Sequence, residues 1–230
     1  MDVAAIIPTR AGSKGLPDKC MREVAGVTLI AHAVGQALRT CGSAFLITDN
    51  AEHAEEARAA GGIALVQEEA VPGDALPEHQ ETRAMLAHPE LFENYGTVCR
   101  LFVTHPLRSD SDILRSLDLH QETGRTVVTS STALFQKHQV MRAVSHRSHL
   151  LRMRDFDPAR PRQQVAPPEQ YLVGCCYVAS RSEYLVRGFW PRAGFETLVV
   201  PPIRGLDVDT PEDLELIRTL WPIRDELAQL

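Results

Sequence analysis

The chain has 230 residues, 44% of them apolar and 23% charged, and a formal net charge of −6 at pH 7. That profile describes an ordinary globular protein with a substantial core and excludes collagen-like, coiled-coil and disordered classes. The acidic balance and an aromatic content of 6% also argue against a nucleic-acid partner, because displacing counterions needs a basic footprint and base stacking needs aromatic platforms.

In chain order, short apolar runs rich in β-branched residues alternate with segments of helical spacing. Residues 3–7 read as a strand, and Leu29, Ile30, Ala33, Val34, Ala37 and Leu38 share one helical face entered through Thr28 as a cap. The pattern repeats: strand at 44–48, helix at 51–60 ended by Gly61-Gly62, strand at 63–66, helix at 77–88. It continues with strand 97–104, helix 110–121 and strand 126–130. Such alternation predicts an α/β protein with a mostly parallel sheet covered by helices on both faces, and a ligand crevice at the carboxyl ends of the strands.

Residues 135–164 break the rhythm. They hold Lys137, Arg142, Arg147, Arg152, Arg154, Arg160 and Arg162 against Asp155 and Asp157, whereas residues 52–93 carry ten acids and two bases. The segment reads either as a solvated surface excursion or as a two-stranded insertion that docks on a partner subunit or reaches an anionic site. The core pattern then resumes with strands at 172–179, 198–200 and 206–208. A last helix begins at Thr210-Pro211-Glu212-Asp213, with a cap, a proline at the first helical position and acids in the first turn. Residues 1–230 therefore read as one domain interrupted by an arm.

The five cysteines, Cys20, Cys41, Cys99, Cys175 and Cys176, show no metal-binding or disulfide spacing and read as reduced, mostly buried thiols. No apolar stretch approaches the roughly 18 residues that span a bilayer. No secretory leader is recognisable, so the expected location is the cytoplasm, with no membrane partner.

Two local features carry chemistry. After the first strand comes Pro8-Thr9-Arg10-Ala11-Gly12-Ser13-Lys14-Gly15-Leu16-Pro17-Asp18-Lys19. Its glycines allow close backbone approach, its N–H groups can cradle an anion, and Arg10, Lys14 and Lys19 supply positive charge. It fits a polyphosphate, yet it carries neither a dinucleotide fingerprint nor a P-loop; the plainer alternative is a polar turn with incidental lysines. The second feature is Asp207-Val208-Asp209, whose carboxylates share a face if the segment is extended. Such a pair suits Mg²⁺, which takes one or two carboxylates together with substrate phosphates. Loop and acid pair together suit nucleotidyl transfer.

The loop Arg10-x-Gly12-Ser13-Lys14-Gly15-x-Pro17-x-Lys19 resembles the signature of the acylneuraminate (sialic acid) cytidylyltransferases, which are similar to the CMP-Kdo synthetases. Further matches follow in order at residues 26–32, Thr48-Asp49, Pro106-Leu107-Arg108, residues 160–164 and residues 206–210, so the resemblance covers nearly the whole chain. It implies a Rossmann-like nucleotidyltransferase core with an inserted homodimerisation segment at 135–164. It also implies transfer of CMP from CTP to an acidic acceptor, a sialic-acid-like 2-keto-3-deoxy sugar, with Mg²⁺ and release of pyrophosphate. On that mapping Arg10 and Lys19 hold the triphosphate and are catalytic. Gly12, Ser13, Lys14, Gly15, Cys20 and Asp74 complete the nucleotide site. Phe102, His105, Arg108, Arg162 and Gln163 face the acceptor, and Asp207 and Asp209 bind the metal.

The chain departs from that family at Cys20, Gln67-Glu68, Phe102 to His105 and Tyr171 to Gly174. The phosphate and metal machinery is kept while recognition positions differ, which leaves open another nucleotide, an acceptor such as a phosphonate or small acid, or a catalytically silent binding homologue. His105 reads either as a general base or phosphate contact or as a neutral structural group. Cys20 has cations beside it that lower a thiol's pKa, set against a passive small residue. Phe102 reads as strand core or as a stacking platform.

Overall fold

A computed structural model describes residues 2–13, 15–67, 78–131, 143–147, 150–153, 170–188 and 194–229. The strands are β1 (Val3–Pro8), β2 (Glu23–Val24), β3 (Val27–Thr28), β4 (Phe45–Thr48), β5 (Ile63–Val66), β6 (Thr97–Leu101), β7 (Val127–Ser131), β8 (Ala143–Arg147), β9 (Leu150–Met153), β10 (Gln170–Ser180) and β11 (Glu196–Val199). The helices are α1 (Leu29–Cys41), α2 (Ala51–Ala59), α3 (Glu78–Ala87), α4 (Pro89–Phe92), α5 (Asp110–Thr123), α6 (Arg181–Arg187), α7 (Pro211–Leu220) and α8 (Arg224–Leu227).

The main sheet runs β11-β7-β10-β6-β1-β4-β5. All its neighbour pairs are parallel except those of β10, which is antiparallel to both β6 and β7. The expected mostly parallel α/β sheet is therefore present. Residues Val3, Ala5 and Ile7 of β1 enter one buried cluster with α1, α2, α5 and α7; Ala4 and Ile6 enter a second with α3, α4 and α6. Alternate side chains leave a strand on opposite faces, so a continuous apolar run is what a strand covered on both sides requires.

Local chemistry sets the ends of the helices. The Thr28 hydroxyl accepts from the Ala31 N–H at 3.0 Å and starts α1, and Gly42, at φ 74°, ends it. Ser109 and Asp112 form a capping box at α5, as Thr210 and Asp213 do at α7. β2 and β3 make a hairpin whose turn, Ala25-Gly26, has positive φ at both positions, the geometry that matches strand twist.

Three expectations need correction. β6 stops at Leu101, because residues 102–109 turn away to start α5. Residues 206–208 form no ladder strand: they leave a 3-10 turn at Pro202–Gly205, and the Val208 N–H donates to the Thr104 carbonyl at 2.8 Å. α7 is not the last helix, since a 3-10 turn at Trp221–Ile223 and α8 follow it. Helix α6, short and with one buried residue, Tyr184, carries too weak a period to announce itself. Within 135–164, β8 and β9 pair as an antiparallel hairpin, and β8 continues onto the start of β10 at Gln170 and Tyr171.

Candidate active site

Chain order reverses direction across the sheet between β1 and β6: β4 and β5 continue to one side, β6, β10 and β7 to the other. Ligand crevices open at such switch points, outside the carboxyl ends of the strands. Three segments meet there: the loop after β1, the turn after β6, and the acidic segment before α7.

The loop after β1 is held from both sides. Thr9 donates its N–H to the Ile47 carbonyl at 2.9 Å, and the Ala11 N–H donates to Asp49 Oδ1 at 2.7 Å. Gly12 has φ 74°, a conformation that side chains disfavour. Gly15 is needed for a different reason: a Cβ there would lie 2.5 Å from the Asp209 carbonyl oxygen, so only hydrogen lets loop and acidic segment touch. Asp18, at φ 50°, opens a short 3-10 turn, Lys19–Met21, that points Lys19 back. Lys19 Nζ then donates to Asp209 Oδ1 at 2.7 Å across 190 positions of sequence. Arg10 is exposed at the loop's start and Ser13 is half-buried.

Asp209 is pinned through its backbone, its N–H donating to Asp213 Oδ2 at 3.0 Å. Asp207 lies on the other side of Val208, its Oδ1 4.0 Å from His105 Nδ1. The side chains are 37% and 22% exposed respectively. Two partly exposed carboxylates are hard oxygen donors of the kind Mg²⁺ takes alongside phosphate and water. Among the described residues no group of three or more His, Cys, Asp or Glu side chains assembles a cation cage.

The turn after β6 is built differently. His105 is 3% exposed; its Nδ1 is 3.3 Å from the Thr104 hydroxyl, and its buried Nε2 has no hydrogen-bond partner among the described residues. Burial is the main cause that holds its pKa below the usual imidazole value, opposed by Asp207. Its ring packs on Gly174, where a Cβ would come within 2.7 Å of Cε1. Gly174 lies in β10 where the register with β7 shifts, between Leu172 and Tyr177, and the Thr129 hydroxyl props that irregularity, 2.8 Å from the Val173 carbonyl oxygen.

Arg108, expected to face the acceptor, is buried, and its guanidinium donates to the carbonyls of Phe102 (3.1 Å) and Cys175 (2.6 Å) and to Gln36 Oε1 (2.9 Å). In this structure it braces the turn against β10. Phe102 is half-buried with the Arg100 guanidinium 4.0 Å from its ring centre. Cys20 is buried, and desolvation outweighs Lys19 and Arg10 to push its thiol up to about 11, which makes it a passive packing residue. Lys14, Asp74, Arg162 and Gln163 lie outside the described residues.

Several supporting residues carried no sequence signal of their own. Arg100 donates to both Glu81 oxygens, with Nε at 2.9 and 2.8 Å, and Tyr184 donates to Glu81 as well. The group ties β6 to α3 and α6, and its members lie 19 and 103 positions apart. His53 approaches the Thr9 hydroxyl at 3.2 Å. Asp49, within a Thr-Asp pair at the end of β4, was visible in the sequence, although its contact with Ala11 was not.

A family model described as cytidylyltransferase matches residues 4–221. The chain is 26% identical over 231 residues to a CMP-N,N'-diacetyllegionaminic acid synthase from Legionella pneumophila, covering 98% of this chain and 99% of that one. It is 24% identical to a pseudaminic acid cytidylyltransferase from Campylobacter jejuni, covering 97% of each. It is also 24% identical to an N-acylneuraminate cytidylyltransferase from Streptococcus agalactiae, where it covers 93% of this chain and spans about half (52%) of the longer relative. Among solved structures, a CMP:2-keto-3-deoxy-manno-octonic acid synthetase complexed with CTP superposes with a TM-score of 0.72 at 18% identity, covering 96% and 99% of the two chains. A Mycobacterium tuberculosis protein, Rv0371c, superposes at 0.63 and 15%, covering 95% and 97%. These superpositions show a shared Rossmann-like α/β fold.

Proposed function

We propose, for a chain that belongs to the cytidylyltransferase family, that it transfers CMP from CTP to an acidic sugar of the 2-keto-3-deoxy class and releases pyrophosphate. The observation that carries this reading is the 2.7 Å contact between Lys19 and Asp209. It brings the cationic loop and the acidic segment to one point in the crevice, where a triphosphate and its counter-charges must meet. The names of the Legionella, Campylobacter and Streptococcus relatives support an acidic nine-carbon sugar as acceptor.

In the reaction the acceptor's anomeric hydroxyl oxygen bonds to the α-phosphorus of CTP. The bond from that phosphorus to the bridging oxygen breaks, pyrophosphate leaves with the electron pair, and the hydroxyl proton passes to solvent. Arg10, Lys19 and the loop N–H groups orient the triphosphate and offset its charge, which is most of what such a transfer asks of a protein. Asp207 and Asp209 would hold Mg²⁺, which when bound supplies Lewis-acid stabilisation of the phosphoryl oxygens. His105, buried with its pKa held low, keeps a neutral ring beside Asp207.

The proposal includes a homodimer joined through the β8–β9 hairpin, supported by that hairpin's extension from β10 beyond the main sheet order, and light scattering tests it. A cytoplasmic location is supported by five free, buried thiols. No helix among the described residues is long and apolar enough to cross a membrane.

The test is pyrophosphate release by purified protein with CTP, Mg²⁺ and a panel of sialic-acid-like sugars, phosphonates and small carboxylic acids, with the other NTPs in competition. Release with CTP and a nine-carbon acid sugar supports the reading; release only with another nucleotide or a phosphonate moves it. Phe102 and His105, set at the crevice wall, are the observation that favours the second outcome.

A further inference from the structure

We propose that Asp209 is a built-in competitor for the anion loop: its carboxylate occupies the Lys19 ammonium that a triphosphate needs, and nucleotide binds tightly only once that carboxylate is drawn aside. The proposal rests on the nucleotide-binding reading above and adds a gate to the same site.

Three features make the contact a designed occupant rather than a chance pair. First, Lys19 is largely enclosed, its side chain 16% exposed against 37% for Asp209, so the ammonium has few routes to other anions. Second, the main chains of the two segments lie close together and the acidic one is fixed. Gly15 touches the Asp209 carbonyl so closely that a Cβ would clash at 2.5 Å, and the N–H groups of Asp209 and Thr210 both donate to Asp213 Oδ2, at 3.0 and 2.9 Å. The main chain of Asp209 is thus fixed beside the loop, with its carboxylate on Lys19. Third, another donor of the loop is occupied in the same way, the Ala11 N–H by a carboxylate oxygen of Asp49 at 2.7 Å. A carboxylate oxygen and a phosphate oxygen ask for the same donors.

A triphosphate arriving at Lys19 must therefore displace a carboxylate and then tolerate its charge nearby. A divalent cation accepts carboxylate and phosphate oxygens together. Cation and nucleotide consequently bind with positive and reciprocal coupling.

Calorimetric titration of CTP into the full-length protein in EDTA reads the competition without turnover. Asp209→Asn, which removes the charge and keeps the shape, is expected to bind metal-free CTP about fivefold more tightly than the parent protein, the scale of a partly exposed ion pair. Asp207→Asn, which removes the same charge from the acid beside His105, is expected to change metal-free affinity by less than about twofold. A second arm needs no nucleotide: Mg²⁺ alone should raise the rate of trace acetylation at the Lys19 amine in the parent protein, and leave it high and unchanged in Asp209→Asn. Equal tightening in both variants, no tightening in Asp209→Asn, or Lys19 acetylation indifferent to Mg²⁺ overturns the proposal. If the parent protein binds CTP under no condition, the functional reading fails instead, and the acetylation arm still decides whether the gate exists.

Discussion

The two walls of the crevice are built on opposite principles. On the β1 side, Lys19, Asp209 and Asp49 are partly exposed, with Lys19 on Asp209 and the Ala11 N–H on Asp49. On the β6 side, Arg108, His105 and Arg100 are buried, and the two guanidiniums are engaged by backbone carbonyls, Gln36 or Glu81. A group that can exchange its partner for a ligand must be reachable. A group held by two or three buried partners is spent on shape, because releasing it strands a desolvated charge. The charged wall is thus equipped to bind, and the braced wall to fix where binding occurs.

The largest expected effect tests the charged wall. Asp209→Ala should lower kcat/KM by at least about 1,000-fold, the scale of lost charge stabilisation at a phosphoryl group, while circular dichroism and the unfolding midpoint stay close to those of the parent protein. Retained turnover would place the metal elsewhere. The braced wall should answer in stability instead. Glu81→Ala leaves the Arg100 guanidinium buried beside Phe102 and should cost about 3–5 kcal/mol in urea unfolding. An unchanged midpoint would show that solvent reaches Arg100.

Gly174→Ala drives a methyl into His105 and should cost about 1–3 kcal/mol. The double variant with His105→Ala should recover most of that loss, and a cycle without coupling would break the contact. A pH series sharpens the comparison further. Burial holds the folded-state pKa of His53 below its ordinary 6.5. On acidification the unfolded chain therefore takes up a proton that the folded chain refuses, and stability falls as pH drops through 6.5. His53→Gln should flatten the dependence of the urea midpoint between pH 7.5 and 5.5. The smallest effect is expected at Arg39→Ala, whose exposed pair with Asp110 is worth at most about 1 kcal/mol.

Much of this fold is legible in the sequence, for local reasons. The Thr28 and Thr210 caps, the Gly42 stop one residue beyond α1, and the buried run of β1 depend on neighbours within a few positions, and the sequence pattern names those neighbours. The reading failed where distant contacts override local pattern. Residues 102–104 continue an apolar run, yet β6 ends before them because the carbonyl of Phe102 is claimed by Arg108 and that of Thr104 by Val208. Residues 206–208 look like a strand, yet among the described residues no strand pairs with them. Arg108 is placed at the acceptor by family resemblance, and only Cys175 and Gln36, 67 and 72 positions away, show where its donors go.

Residue identity alone determined the chemistry available: a glycine-bearing cationic loop after the first strand, and two acids one residue apart before a capped helix. It determined the alternation of strand and helix as well, because hydrophobic period and capping act over a few residues. The tertiary structure decided that loop and acids meet. Lys19 and Asp209 are 190 positions apart, and what joins them is the order of strands in the sheet and the missing side chain at Gly15. It also decided that the Cys20 thiol, set among cations, has its pKa raised instead of lowered, since burial is a property of the fold and outweighs the charges that sequence places nearby.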